Sequence, residues 1–203
     1  MNIWIHSQLS AKKFGGQPEV YYHVHKFLDA SKLFYFHIKH RILLHNTFGI
    51  ELCTRLFGDC IELENGQKIL VRDIAAEHIK EDLSGKIPTI FDWLGKNAEL
   101  EKQQLLLPKI DDEEISLFME QPFLQSGLTA SRIITYSDFG IYLIQELFGP
   151  EKAAMVRAKI PPEQNVANYL RHYKFTQKWQ FSPDMSQLNL LQSDERPAGK
   201  KVE

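Results

Sequence analysis

Residues 32–58, KLFYFHIKHRILLHNTFGIELCTRLFG, decide how the rest of the chain is read. At 100° per residue, Ile38, Ile42, Gly49, Leu52 and Leu56 share one stripe, widened by Leu44 and Phe48, so the stretch predicts a long helix turned towards a core. Gly58 ends it, as a C-terminal glycine does. Arg41 and His45 interrupt the stripe, and His37 and His40 lie on its edge. Basic and titratable groups on a buried face need partners. The stretch that implies a helical core therefore also marks a candidate site.

Upstream, Pro18 suits the first position of a helix, and PEVYYHVHKFLDASK places Tyr21, His25, Leu28, Asp29 and Lys32 on one face. Residues 1–17 include the paired glycines of SAKKFGG and predict an irregular N-terminal arm, in which His6 is uncommitted. Downstream, Asn65-Gly66 between short apolar runs predicts a hairpin with strands at about 60–64 and 67–71. Asp73 is then placed to cap a helix whose buried side carries His78 and Asp82, four residues apart. Thr89 and Asp92 have the spacing of a capping box ahead of another short helix.

From about residue 97 the composition shifts, and residues 97–184 read as a smaller helical lobe packed on a His-rich core of residues 1–96. Residues 185–203 are polar and predict a disordered tail. The expected fold is mostly α, a helical bundle with one hairpin near 60–71. Residues 132–149, RIITYSDFGIYLIQELFG, repeat residues 41–58, RILLHNTFGIELCTRLFG, at an offset of 91. An ancient duplication and the convergence of two amphipathic helices both account for this. Gly49 and Gly140 recur inside the two copies and suggest helices that approach closely there. Tyr136 replaces His45 in the second copy, so histidine chemistry belongs to the first.

No run approaches the roughly 18 apolar residues of a membrane span, and the first residues lack the pattern of a signal peptide, so a cytoplasmic protein is expected. Cys53 and Cys60 sit in apolar sequence and read as packing. A net charge of −2 gives no global signal for nucleic acid.

The order IHSQLSAKKFGG, HKFLDASK, HIKHRILLHNTFGI, LFGD and NGQKILVRDIAAEHIKEDLSGKIPTIFDWL resembles an uncharacterised family of small bacterial and phage proteins, a domain of unknown function, over about residues 5–95. In the family pattern a His, an Asp and a Lys correspond to His25, Asp29 and Lys32. An Arg-His-Arg followed by a His pair comes next, then a His with an acidic partner. Here Lys39 precedes His40-Arg41, and Asn46 follows His45. The resemblance implies no activity.

If the three helical faces share a core, His25 with Asp29, His40 and His45 with Arg41, and His78 with Asp82 converge. Imidazoles and carboxylates on packed helices suit Zn, Mn or Fe and hydrolytic activation of water, as in histidine-aspartate phosphohydrolases. His25, Asp29, His40, His45, His78 and Asp82 are the expected metal ligands, with Arg41 and Lys32 placed for a small anionic substrate. No HExxH or ExxH pattern is present. The alternative is a non-enzymatic module that binds a protein or ligand, its polar cluster serving as a structural hydrogen-bond network.

Overall fold

The first seventeen residues do not form the irregular arm that the sequence suggests. In the computed structural model, which describes residues 2–102 and 104–181, helix α1 spans Ile3–Phe14, and the Asn2 side chain accepts from the Trp4 N–H at 2.8 Å. Its inward residues are His6, Ser7 and Ser10, while Trp4 and Ile5 stay 40% and 38% exposed. Hydrophobic periodicity misses such a helix because its buried face is polar. Gly15 and Gly16 then take φ values of 89° and 72°, and a Cβ at Gly16 would lie 2.8 Å from Leu63 Cδ2. The paired glycines let the chain turn tightly against the hairpin.

A 3₁₀ turn from Pro18 leads into α2 (Tyr22–Asp29), followed by a second 3₁₀ turn, Ala30–Leu33. The long helix expected over residues 32–58 is broken. A 3₁₀ turn at Ile38–His40 runs into the short α3 (Arg41–Leu44), and α4 (Thr47–Phe57) begins afresh. Between them Asn46 adopts φ −158°, and its side chain accepts from the Gly49 N–H at 3.1 Å. The Asn46 Nδ2 donates back to the Ile42 carbonyl at 2.8 Å. One polar side chain thus closes one helix and caps the next.

Strands β1 (Cys60–Glu62) and β2 (Lys68–Leu70) pair antiparallel, with Ile61 opposite Ile69. Helix α5 (Val71–Asp82) follows directly, with Leu70 at its N-cap and Asp73 inside the first turn rather than capping it. In α6 (Ile90–Leu94) Thr89 and Asp92 form a complete capping box.

Beyond the short α7 (Ala98–Glu101) come α8 (Glu113–Ser126), α9 (Asp138–Phe148), α10 (Pro150–Arg157) and α11 (Val166–His172). Among the described residues β1 and β2 are the only strands, so the fold is mostly α with one small hairpin. Helices α1, α2, α4 and α5 pack around one another, and α4 also touches α9. A continuous apolar core runs from Tyr21 to Tyr173 and takes in both halves of the chain. The tail 185–203 lies outside the described residues. No described helix is long and apolar enough to cross a membrane.

Gly49 and Gly140 were expected where α4 and α9 meet. Both sit in the first turn of their helix, and a Cβ on either would collide with the backbone carbonyl of the residue five earlier, Leu44 or Thr135. Their glycine character is required by the sharp turn into the helix, a contact within each copy.

Candidate metal centre

Helix α2 carries His25 and Asp29 one turn apart, and α5 does the same with His78 and Asp82. The break after α3 delivers His45 at a helix end, where its backbone (φ −86°, ψ 64°) is no longer helical. These five side chains are buried at 3% exposure or less and meet between the helices.

His78 stands at the centre. Its Nδ1 lies 3.0 Å from His25 Nδ1, and its Nε2 lies 3.1 Å from His45 Nε2. Asp29 Oδ1 is 3.8 Å from both His45 Nε2 and His78 Nε2, while Asp29 Oδ2 accepts from Lys32 Nζ at 2.7 Å. Asp82 Oδ2 is 3.1 Å from His45 Nε2 and 3.0 Å from Arg41 Nη2, and Arg41 Nη1 donates to the Asp82 carbonyl at 2.9 Å.

His6, which sequence reasoning left uncommitted, belongs to the cluster. Its Nδ1 lies 2.5 Å from Glu81 Oε2 and its Nε2 3.5 Å from Asp82 Oδ1, with the ring stacked on His78 at 3.9 Å between centroids. The available signal was the spacing of His6 and Ser10, whose Oγ is 2.9 Å from His25 Nε2. His40 stands beside the cluster, its Nδ1 2.8 Å from Ser31 Oγ and its ring edge-on to His45 at 5.2 Å.

Two groups of donors result. Asp29, His45, His78 and Asp82 form one, and His6, His25 and His78 the other, with the donor atoms of each within 4.8 Å of one another. Ligands on a tetrahedral ion at 2.0–2.1 Å stand roughly 3.3 Å apart. The contacts of 3.1 and 3.8 Å in the first group straddle that spacing. A neutral imidazole offers one N–H and one lone pair. Whatever tautomers are assigned, Asp29 Oδ1 and His6 Nε2 are buried and make no hydrogen bond among the described residues. Asp29 Oδ1 is a lone-pair donor beside two imidazole nitrogens, whereas His6 Nε2 faces Asp82 Oδ1 at 3.5 Å.

Electrostatics keep His25, His40, His45 and His78 in the ligating form. Burial pushes His25 down to about 3 and holds His40 and His78 well below the usual range. Burial also lowers His45, outweighing the pull of Asp82. Their lone pairs are free of protons at neutral pH. For Asp82 burial favours the neutral acid, but Arg41 and then His45 outweigh it and hold the carboxyl well below the carboxylate range. Burial opposes a charge on His6 as well, yet the Asp82 and Glu81 carboxylates raise it overall.

The family described as a domain of unknown function, DUF6915, matches residues 1–103. The chain belongs to that family. No curated protein and no solved structure matches it. Every residue of the cluster, from His6 to Asp82, lies in the DUF6915 region, whereas the second copy of the repeated segment lies beyond it.

That second copy repeats the local geometry. Ser137 caps α9 through the Gly140 N–H as Asn46 caps α4 through that of Gly49, and Gly58 and Gly149 close the two helices with φ 80° and 92°. Arg132 Nη2 meets Glu120 Oε2 at 2.8 Å, and Tyr136 Oη donates to Glu120 Oε1 at 2.8 Å. An arginine and the ring four residues on thus grip a carboxylate from another helix in both copies. Only the DUF6915 copy surrounds that carboxylate with further imidazoles.

Proposed function

We propose that the Asp29, His45, His78 and Asp82 group holds a divalent metal, and that the protein is a metal-dependent hydrolase of a phosphorylated or otherwise anionic small substrate. The observation that carries this is Asp29 Oδ1: buried, without a hydrogen bond among the described residues, and 3.8 Å from two imidazole nitrogens that are 3.1 Å from each other. A carboxylate oxygen so placed lowers its energy by sharing a cation with those nitrogens. Two carboxylates and two imidazoles suit Zn, Mn or Fe. When bound, such an ion lowers the pKa of a water on it and polarises a phosphoryl oxygen.

The chain's own residues divide the remaining work. Lys32, its side chain 28% exposed, is the outward cation beside Asp29 and the group for an incoming anion. Arg41 is buried and holds Asp82 by two contacts, so it fixes the direction of that carboxylate.

One observation favours the second reading, a structural network in a non-enzymatic binding module. Each carboxylate already has a cation, Asp29 with Lys32 and Asp82 with Arg41, so the cluster is balanced without an ion. Metal analysis of untagged protein, alone and after incubation with Zn, Mn or Fe, decides between them when paired with turnover of p-nitrophenyl phosphate and a panel of phosphomonoesters. The hydrolase reading expects bound metal and turnover in the wild type, and loss of both in D29N and H45A. Wild-type protein that takes up no metal and shows no turnover would leave the structural network as the answer, and D29N and H45A that keep full turnover would place the activity outside this group.

A further inference from the structure

We propose a second metal ion, bound by His6 Nε2, His25 Nδ1 and His78 Nδ1, so that the His78 ring bridges two ions. The bridge rests on the first site proposed above; the three-nitrogen group does not. Four features of the geometry point to it. One ring nitrogen from each of the three lies within 4.8 Å of those of the other two, and all three side chains are fully buried. His6 Nε2 makes no hydrogen bond among the described residues. The outer nitrogens are held from behind, His6 Nδ1 by Glu81 Oε2 at 2.5 Å and His25 Nε2 by Ser10 Oγ at 2.9 Å. Such support from the far side fixes the tautomer and direction of a metal-ligating histidine.

His78 is the unusual member. It faces His25 through one nitrogen and His45 through the other, at 3.0 and 3.1 Å. As a neutral ring it donates its N–H to one of these nitrogens and accepts from the other. Serving two ions, it would ligate one through each nitrogen, the N–H proton leaving to solvent. An ion at each end of a ring stands farther away than the about 3.5–4 Å of metal pairs that clamp one phosphoryl group. The second ion is therefore a support: it ties α1 to α2 and α5 and tunes the first ion through His78. Three imidazoles without a carboxylate favour Zn, Cu or Ni over Mn, so the two sites differ in preference.

The competing occupant of the pocket is a proton, with His6 as an imidazolium between Glu81 and Asp82. Zn(II) stoichiometry of the full chain separates the two, measured on wild type, H6A, H25Q and D29N, each checked for a cooperative melt. The proposal expects two ions in the wild type, one in H6A and in H25Q, and one in D29N. In the Cu(II)-loaded protein it expects a magnetically coupled pair that becomes a single uncoupled signal in H6A. H25Q keeps the test open if H6A does not fold. An unchanged stoichiometry in H6A and H25Q overturns the second site. If that stoichiometry is one ion and D29N loses it, the hydrolase reading is untouched. An ion lost in H6A and H25Q but kept in D29N upholds the second site and removes the first.

Discussion

Tyr136 holds ahead of α9 the place that His45 holds ahead of α4, and each ring meets a carboxylate supplied by another helix, Glu120 in one case and Asp82 in the other. The two carboxylates also take the equivalent arginines, Arg132 and Arg41. One chain thus contains the same grip with and without surrounding imidazoles, and the second copy serves as a control for the first. E120Q should lower stability by about 1–2 kcal/mol through a weakened charge-assisted contact and leave metal content unchanged. D82N should lower both. Equal metal loss in the two variants would show that the effect is one of general stability.

The glycine positions test the repeat itself. Because a Cβ at Gly49 or Gly140 meets backbone and not a flexible side chain, even alanine should cost about 1–3 kcal/mol. In a chain of this size that is a fall in Tm of roughly 2–4 °C for each kcal/mol. A melt of G49A or G140A that matches wild type would mean the turn relaxes freely.

Stability should fall on acidification through a wide window. His25, His40, His45 and His78 are all held below 6.5, His25 at about 3. Between those folded values and 6.5 the unfolded chain binds protons that the folded chain refuses. Each such histidine then removes up to about 1.4 kcal/mol per pH unit as pH drops. His6 opposes this: being raised, its contribution is full below 6.5 and fades as pH climbs through its folded value. Four groups outweigh one, so the urea midpoint of metal-free protein should drop between about pH 7 and about pH 5. A midpoint that rises over that range would mean the histidines are not buried neutral.

Trp93 links the far end of the chain to the cluster. Its Nε1–H donates to the His45 carbonyl at 2.9 Å, and Tyr173 Oη donates to the Trp93 carbonyl at 2.9 Å. W93F leaves the His45 carbonyl short of a donor and should cost about 1–3 kcal/mol. Isothermal titration should also show metal affinity weakened by about 10-fold or more, as when the support of a ligand is removed. Y173F, one step further out, should affect stability more than affinity.

The legible parts were those encoded locally. Asn65-Gly66 marked the hairpin, and the i, i+4 spacings placed His25 over Asp29 and His78 over Asp82. The break at Asn46 was masked by the apolar residues on either side, which keep helical phase across it. Its signal lay in the repeat, where Asn46 and Ser137, both capping types, occupy matching positions three residues before a glycine. His6 was hidden for another reason: a helix that turns serines and a histidine inward looks like surface sequence, and only tertiary partners on α2 and α5 reverse that reading.

That inverted helix also sets a clock. A nascent chain grows by about 5–20 residues per second, and Glu81, the partner of His6, is made 75 residues after it. For roughly 4–15 s, His6 has no carboxylate from α5 to meet, and α1 has only Ala11 and Phe14 to set against the core. Lys13 waits in the same way for Glu77. Pulse-labelled hydrogen exchange during refolding should find the amides of α1 protected after those of α2 and α5. Helix α1 is then expected to lock after the helices it packs on, and the cluster to be sealed from its His6 side.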